Sequence, residues 1–330
     1  MSVWVVGIIL LLVKLLVVLV ALLLAAAYLV YVERRLLGFM QLRLGPNRCG
    51  PQGLLQPLAD AVKLLTKEDF IPAGADRVIF LYAPAVVAGT ALLIFEVVPF
   101  ARGWTFRGQE IPGVISDLNV GLLFVLALSS LGVYGVALGG WASNSKFALL
   151  GAIRAAAQMI SYELSLGLSL APVVMLARSM SLVDIVQAQA RLPFIILQPL
   201  AFLIFFISSV AEMKRIPFDL PEAENELVAG YHMEYSGMRF GLYFLGEYVT
   251  MVILGALVAV FFLGGWRGPW LPPLIWFLIK VFLVVFAIIW IRATYPRLRF
   301  DQLMALGWKV LIPLALLNIV ITGGVILAMR

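Results

Sequence analysis

Ligands for a metal or redox centre are nearly absent from this sequence: one cysteine, Cys49, and one histidine, His232, occur in 330 residues. A disulfide framework, a four-thiolate iron–sulfur site and a Cys/His zinc site cannot be built from this chain alone. Charge is scarce too. Only 13% of residues are Asp, Glu, Lys or Arg, whereas 63% are hydrophobic and the mean hydropathy is +1.05. No ordinary water-soluble domain has that composition, so the solvent is lipid. Inside a bilayer the backbone must satisfy its own N–H and C=O groups, which leaves helices or a closed barrel. The long uninterrupted apolar runs select helices.

With roughly 20 apolar residues needed per crossing, eight segments qualify: 3–31, 78–100, 119–141, 155–177, 194–211, 240–263, 271–291 and 310–329. The chain therefore reads as one all-α polytopic membrane domain over residues 1–330. The first segment is expected to span, not to act as a signal peptide. No Lys or Arg precedes it, and it exceeds the roughly 7–15 apolar residues of a signal. No internal repeat or pair of matching broken helices is visible, which weighs against a stand-alone secondary transporter. Gly135 and Gly139 form a GxxxG that suits a close helix crossing.

Two polar stretches, 33–77 and 212–239, lie on the same side of this arrangement. Loops of that side carry sixteen Lys and Arg and those of the other side six, so the positive-inside rule places both stretches in the cytoplasm. The net charge of +6 follows from that asymmetry and implies no nucleic acid. In the first stretch GPNRCGPQG, residues 45–53, is stiffened by two Gly-Pro pairs. After it Leu54, Leu55, Leu58, Ala61, Val62 and Leu65 recur at helical spacing, opposite Gln56, Asp60, Lys63 and Lys67. This is a short amphipathic helix, expected to lie in the membrane interface or against a partner subunit, and able to roof a passage for a lipid-soluble ligand.

The second stretch mixes acids with apolar residues. Glu212, Asp219, Glu222, Glu224, Glu226 and Glu234 alternate with Ile216, Pro217, Phe218, Leu220 and Pro221, so the segment is expected to fold back into protein. Crowded carboxylates there cannot all ionise and can hold protons. Glu163 and Glu247 lie inside spans at a similar depth, where an ionisable residue points to function. Structural roles remain open: Asp219 and Glu222 have capping-box spacing, Glu226 suits an exposed acid, and Glu163 or Glu247 could pair with Arg154 or Lys280. Lys14 and Lys280 suit snorkelling or pairing, and His232 a structural histidine.

Four stretches carry a family resemblance: ERRLLGFMQLRLGPNRCGPQGLLQPLADAVKLLTKE from Glu33, GWASNSKFALLGAIRAAAQMISYELSL from Gly140, PFDLPEAENELVAGYHMEYSGMRF from Pro217, and IRATYPRLRFDQLM from Ile291. Over nearly its full length the chain resembles the H-type membrane subunit of proton-pumping NADH:quinone oxidoreductase, respiratory complex I. The resemblance implies a helical subunit in the bacterial inner membrane, at the junction of the membrane and hydrophilic arms. It would form the membrane-side wall and entrance of a cavity for quinone, the substrate. NADH, flavin and iron–sulfur clusters would reside in partner subunits, with small and antiporter-like membrane subunits also neighbours.

By the same resemblance Arg34, Arg43, Asp60, Lys63, Phe218 and Arg292 match cavity and entrance positions. Glu163, Glu212, Glu222, Glu224, Glu226 and Glu247, with Asp219 nearby, match a carboxylate path that couples quinone reduction to proton translocation. Met213-Lys214 in place of the usual Thr-Asn, Met233 and Cys49 depart from the family pattern. The related subunit of membrane-bound hydrogenases or ferredoxin-linked oxidoreductases is the alternative within the superfamily. The long Gly-Pro corner and its amphipathic helix favour the quinone-linked complex.

Overall fold

A computed structural model describes residues 3–106, 109–221 and 224–329; the side chains of residues 3–6, 105, 106, 109, 110, 224 and 225 lie outside that description. Seven described helices are long and apolar enough to cross a membrane. They are α1 (Val3–Met40), α3 (Arg77–Ile94), α4 (Gly121–Ala142), α5 (Lys146–Ala177), α10 (Gly237–Phe262), α11 (Pro273–Thr294) and the continuous stretch from α12 (Phe300–Ala305) through a π-helical turn, Leu306–Leu311, into α13 (Ile312–Ala328). Shorter helices join them: α2 (Gln56–Thr66), α6 (Leu182–Ala188), α7 (Phe194–Leu197), α8 (Pro199–Glu212) and α9 (Glu224–Leu227). A small antiparallel hairpin, β1 (Trp104–Phe106) with β2 (Gln109–Ile111), pairs Trp104 with Ile111. Its strands are too short for sequence periodicity to reveal.

The segment predicted as one span over 194–211 is interrupted. Gln198 adopts φ −133° and ψ 56° because Pro199 follows it, and a residue before proline is pushed out of the helical region. The 14-residue α8 reaches only about 21 Å at 1.5 Å per residue, short of the roughly 30 Å hydrocarbon core. Gln198 itself is buried, and its backbone is satisfied: its N–H donates to the Phe194 carbonyl at 2.7 Å and its carbonyl accepts from Phe202 at 3.0 Å. Asn318 donates to Gln198 Oε1 at 3.0 Å, and Gln198 Nε2 donates to Thr322 at 2.9 Å, the condition under which irregular backbone is tolerated at membrane depth.

The core centres on α10, whose face from Tyr248 to Phe262 is almost wholly buried. α3 and α4 cross closely at the GxxxG. A Cβ at Gly135 would stand 3.0 Å from the Ala83 carbonyl, and one at Gly139 would collide with Tyr243. Polar spanning side chains find backbone partners. Lys14 donates to the carbonyls of Pro112 and Val114, and Lys280 to those of Leu263, Gly265 and Arg267.

α1 runs through Glu33, Arg34 and Arg35 to Met40, beyond the predicted span end, so those charges sit on its last turns. The Gly-Pro corner then reverses the chain. Arg35 donates to the Gln52 carbonyl at 2.8 Å and to the Tyr31 hydroxyl, while Gly53 sits at φ 84° with its Cα facing Pro46. A Cβ there would lie 2.3 Å from the Pro46 carbonyl. Gly53→Ala should therefore cost about 1–3 kcal/mol, read as a lowered thermal midpoint of the purified protein; an unchanged midpoint would show that the corner relaxes freely.

The corner delivers α2 across the base of the bundle. Leu58, Val62 and Leu65 are 64%, 52% and 67% exposed, while Gln56, Pro57, Asp60 and Leu64 turn inward. Outward-facing leucines and valine beside exposed Lys63 and Lys67 give the outer surface of α2 the mixed apolar and basic character of a helix in a lipid interface.

Candidate functional site

Between α1, α2 and α10 lies a cavity of about 460 Å³. Ala26, Ala27 and Val30 line it from α1, Pro57, Ala61 and Leu64 from α2, and Met238, Gly241, Phe244 and Leu245 from α10. Its polar members are Arg34, Asp60, Lys63 and Tyr248. Arg34 donates to Asp60 Oδ2 at 2.8 Å, and Gln56 donates to Asp60 Oδ1 at 3.0 Å, so an ion pair ties α1 to α2. Three of the six residues expected at a cavity, Arg34, Asp60 and Lys63, therefore line one mostly apolar chamber. Such a chamber with a few convergent polar groups suits an amphiphilic small molecule.

Tyr248 leads from this chamber to a buried charge cluster. Its ring lies beneath the Arg215 guanidinium, whose Cζ is 4.4 Å from the ring centroid. Arg215 Nη1 donates to both Glu33 carboxylate oxygens at 2.7 Å and pairs through Nε with Glu247 Oε1 at 2.7 Å. That second contact is close but poorly aligned, so Nε lacks a proper hydrogen bond. Arg292 also donates to Glu33. Two acids from α1 and α10 thus meet two bases, one from the second loop and one from α11, and the cluster is neutral. Burial opposes ionisation of Arg215, but Glu247 and Glu33 outweigh it and hold the guanidinium protonated.

A second cavity, about 60 Å³, opens on the other side of Glu247. That exceeds the roughly 10–15 Å³ that a water needs. Glu212, Lys214, Ser129, Thr90, Thr250 and Tyr243 share its walls with Glu247. Ser129 donates to Glu212, and its neighbour Ser130 donates to Glu163. Adjacent serines on α4 therefore hold the two carboxylates side by side. Gln158, fully buried on α5, clamps the start of the loop by donating to the carbonyls of Ala211 at 2.7 Å and Phe218 at 2.8 Å.

The remaining predicted residues are spread around this axis. Asp219 is buried and accepts from Arg297 at 2.8 Å, so it pairs across to the α11–α12 connection. Burial pushes its carboxyl up from the ordinary range although Arg297 pulls it down. Phe218 is buried with its ring 5.8 Å from that of Tyr162. Arg43 is exposed and donates to Gln41, outside the large cavity. Glu226 is exposed and pairs with Arg154 at 2.7 Å, so neither Arg154 nor Lys280 takes up Glu163 or Glu247. Glu222 and the Glu224 side chain lie outside the described residues. Burial and then Lys214 push His232 down to about 4, which leaves it neutral at physiological pH, as suits a structural histidine.

Sequence reasoning overlooked Glu33, Arg215, Tyr248 and the Ser129-Ser130 pair as site residues. The serines carried a signal, two adjacent hydroxyls inside an otherwise apolar span. Glu33 and Arg215 did not stand out, because each sits where a span meets a charged loop. Among the described residues no group of three or more His, Cys, Asp or Glu is placed to hold a metal ion.

The sequence pattern of the family described as NADH dehydrogenase matches residues 13–323. The chain is 68% identical over 326 residues to an H-type NADH-quinone oxidoreductase subunit of Syntrophobacter fumaroxidans, covering 99% of this chain and 98% of that protein. It is 67% identical over 302 residues to an H-type subunit of the same oxidoreductase from Geobacter sulfurreducens, 92% of each. Against the H-type subunit from Syntrophotalea carbinolica the figure is 59% over 317 residues, 96% of each.

Proposed function

We infer function from membership: this chain belongs to the NADH dehydrogenase family, and it serves as a membrane subunit of a proton-translocating NADH:quinone oxidoreductase. The chamber between α1, α2 and α10 is the membrane-side entrance and wall of the quinone cavity. The observation that carries this reading is the chamber itself: apolar and roomy, beside a helix whose apolar face turns outward, and charged where Arg34, Asp60 and Lys63 meet. A lipid-soluble quinone enters from the bilayer between α1 and α2. Partner subunits hold the NADH site, flavin and iron–sulfur clusters and complete the cavity. The chain lies in the bacterial inner membrane with residues 33–77 and 212–239 on the cytoplasmic side, the arrangement that the Lys and Arg distribution supports.

Two-electron reduction creates negative charge on the quinone or draws protons to it. The neutral cluster of Glu33, Arg215, Glu247 and Arg292 sits next to the chamber, in contact with Tyr248, and a change of charge nearby alters its balance. Glu247 faces both this cluster and the water-sized cavity that leads to Glu212, Ser129 and Glu163. The coupling path therefore runs from chamber to cluster to carboxylates, and Asp219, Glu222, Glu224 and Glu226 belong to the loop that borders it. Arg43 and Phe218 lie outside this chamber, Arg43 at the exposed corner and Phe218 against the Tyr162 ring.

Ala27→Trp tests the cavity. The indole would fill the α1 side of the chamber, and in the assembled complex the quinone KM should rise, or the turnover fall, by about tenfold or more. Electron transfer from NADH to a water-soluble acceptor should stay unchanged. Wild-type quinone kinetics in that variant would remove the chamber from the quinone route.

A further inference from the structure

Where α2 meets α10, the chamber wall is closed by one residue from each helix. Gly241 is buried on α10 and lines the chamber directly opposite Leu64 of α2. A Cβ built at Gly241 would stand 3.1 Å from Leu64 Cδ1 and 3.6 Å from Met238 Sδ. One methyl is thus already tight, and any larger side chain must either displace Leu64 or project into the chamber. Gly241 is not demanded by backbone conformation. It lies within regular α10, where a glycine weakens the helix relative to alanine. Its missing side chain is therefore best explained by the space it leaves.

Chemistry divides the chamber the same way. Arg34, Asp60 and Lys63 supply its charged groups, whereas the walls around Gly241 are Leu64, Met238, Phe244 and Leu245. A polar ring can hydrogen-bond at the charged groups, while the walls at Gly241 offer only apolar contact. We propose that Gly241, packed against Leu64, is a specificity-determining residue: the side chain it lacks leaves the chamber wall free for the isoprenoid tail of the quinone. The proposal rests on the reading of the chamber as the quinone route. A long tail lies along the apolar wall that these two residues form, whereas a short-tailed, water-soluble quinone does not reach it.

The test compares Michaelis kinetics of the assembled complex with a short-tailed soluble quinone and a long-tailed isoprenoid quinone in lipid vesicles. Gly241→Val should raise KM for the long-tailed substrate about tenfold and leave the short-tailed KM within about twofold, since a misplaced methyl or two in an apolar pocket has effects of that order. Leu64→Ala in the Gly241→Val background should restore the long-tailed KM. Should Gly241→Val fail to assemble, Gly241→Ala and Leu64→Ala carry the same test, with long-tailed KM expected to rise in the first and not in the second. Equal changes for both quinones would mark Gly241 as a packing residue only and overturn the proposal, as would a Leu64→Ala change that restores nothing. Ala27→Trp separates this from failure of the underlying reading. If Ala27→Trp impairs quinone reduction while Gly241→Val does not discriminate, the specificity role is wrong and the route stands; if neither has an effect, the route itself is wrong.

Discussion

Arg215→Met should destabilise the protein by about 3–5 kcal/mol, the usual cost of removing one partner from a buried ion pair. Arg215 is 4% exposed, and its guanidinium joins Glu33 on α1 to Glu247 on α10. Without it Arg292 alone faces two carboxylates, and Glu247 loses its described partner. Quinone reduction should fall with the stability. Arg215→Lys should not rescue either, because a single ammonium cannot bond both oxygens of Glu33 and reach Glu247 as the planar fork does. By contrast, adding Glu247→Gln to Arg215→Met should recover part of the loss, since the unpaired charge is then gone. Thermal unfolding of the purified complex measures all three variants. A stable Arg215→Met protein, or strict additivity in the double variant, would show that the cluster does not hold the helices together.

Glu212→Gln and Glu247→Gln should each lower proton-coupled quinone reductase activity by about tenfold or more, the scale at which a positioned proton-transfer group acts. Both substitutions keep side-chain size and remove the ionisable carboxyl. Glu212→Gln can still accept from Ser129, and Glu247→Gln leaves Arg215 bonded to Glu33, so assembly should survive. The two variants should share a phenotype, because the two carboxylates face one water-sized cavity. Proton uptake into vesicles and quinone reduction, measured together on the assembled complex, decide the matter. Wild-type rates and proton yields in both variants would exclude this cavity from the coupling path.

How far the site could be read in advance differs by element. The amphipathic helix over residues 54–67 carried its own evidence, because a periodicity of apolar and polar residues is local. Asp60 and Lys63 on its polar side reach the chamber together with Arg34. The intramembrane acids Glu163, Glu212 and Glu247 were equally visible, since any ionisable group in an apolar run is exceptional. Their partners were not. Ser129, Ser130 and Arg215 lie 32 to 182 residues from the carboxylates they hold, and no spacing rule spans such separations. For the same reason pairing of Glu163 or Glu247 with Arg154 or Lys280 was open in the sequence. In the folded chain Arg154 turns out to Glu226, and Lys280 is spent on three carbonyls.

What the amino-acid sequence determined by itself is the solvent, the helical class and the near absence of metal ligands, because bilayer physics acts on runs of residues and ligand counts need no geometry. The scarcity of cysteine and histidine, together with the apolar excess, leaves a membrane chain that cannot by itself build a thiolate-held cluster or a Cys/His metal site. Tertiary structure alone decided where the α7–α8 break falls and how it is satisfied, that Glu33 and Arg215 meet beside Glu247, and that Gly241 faces Leu64. Each is a contact between elements far apart in the chain, chosen by packing, since a buried charge or an irregular backbone persists only where another helix brings its complement.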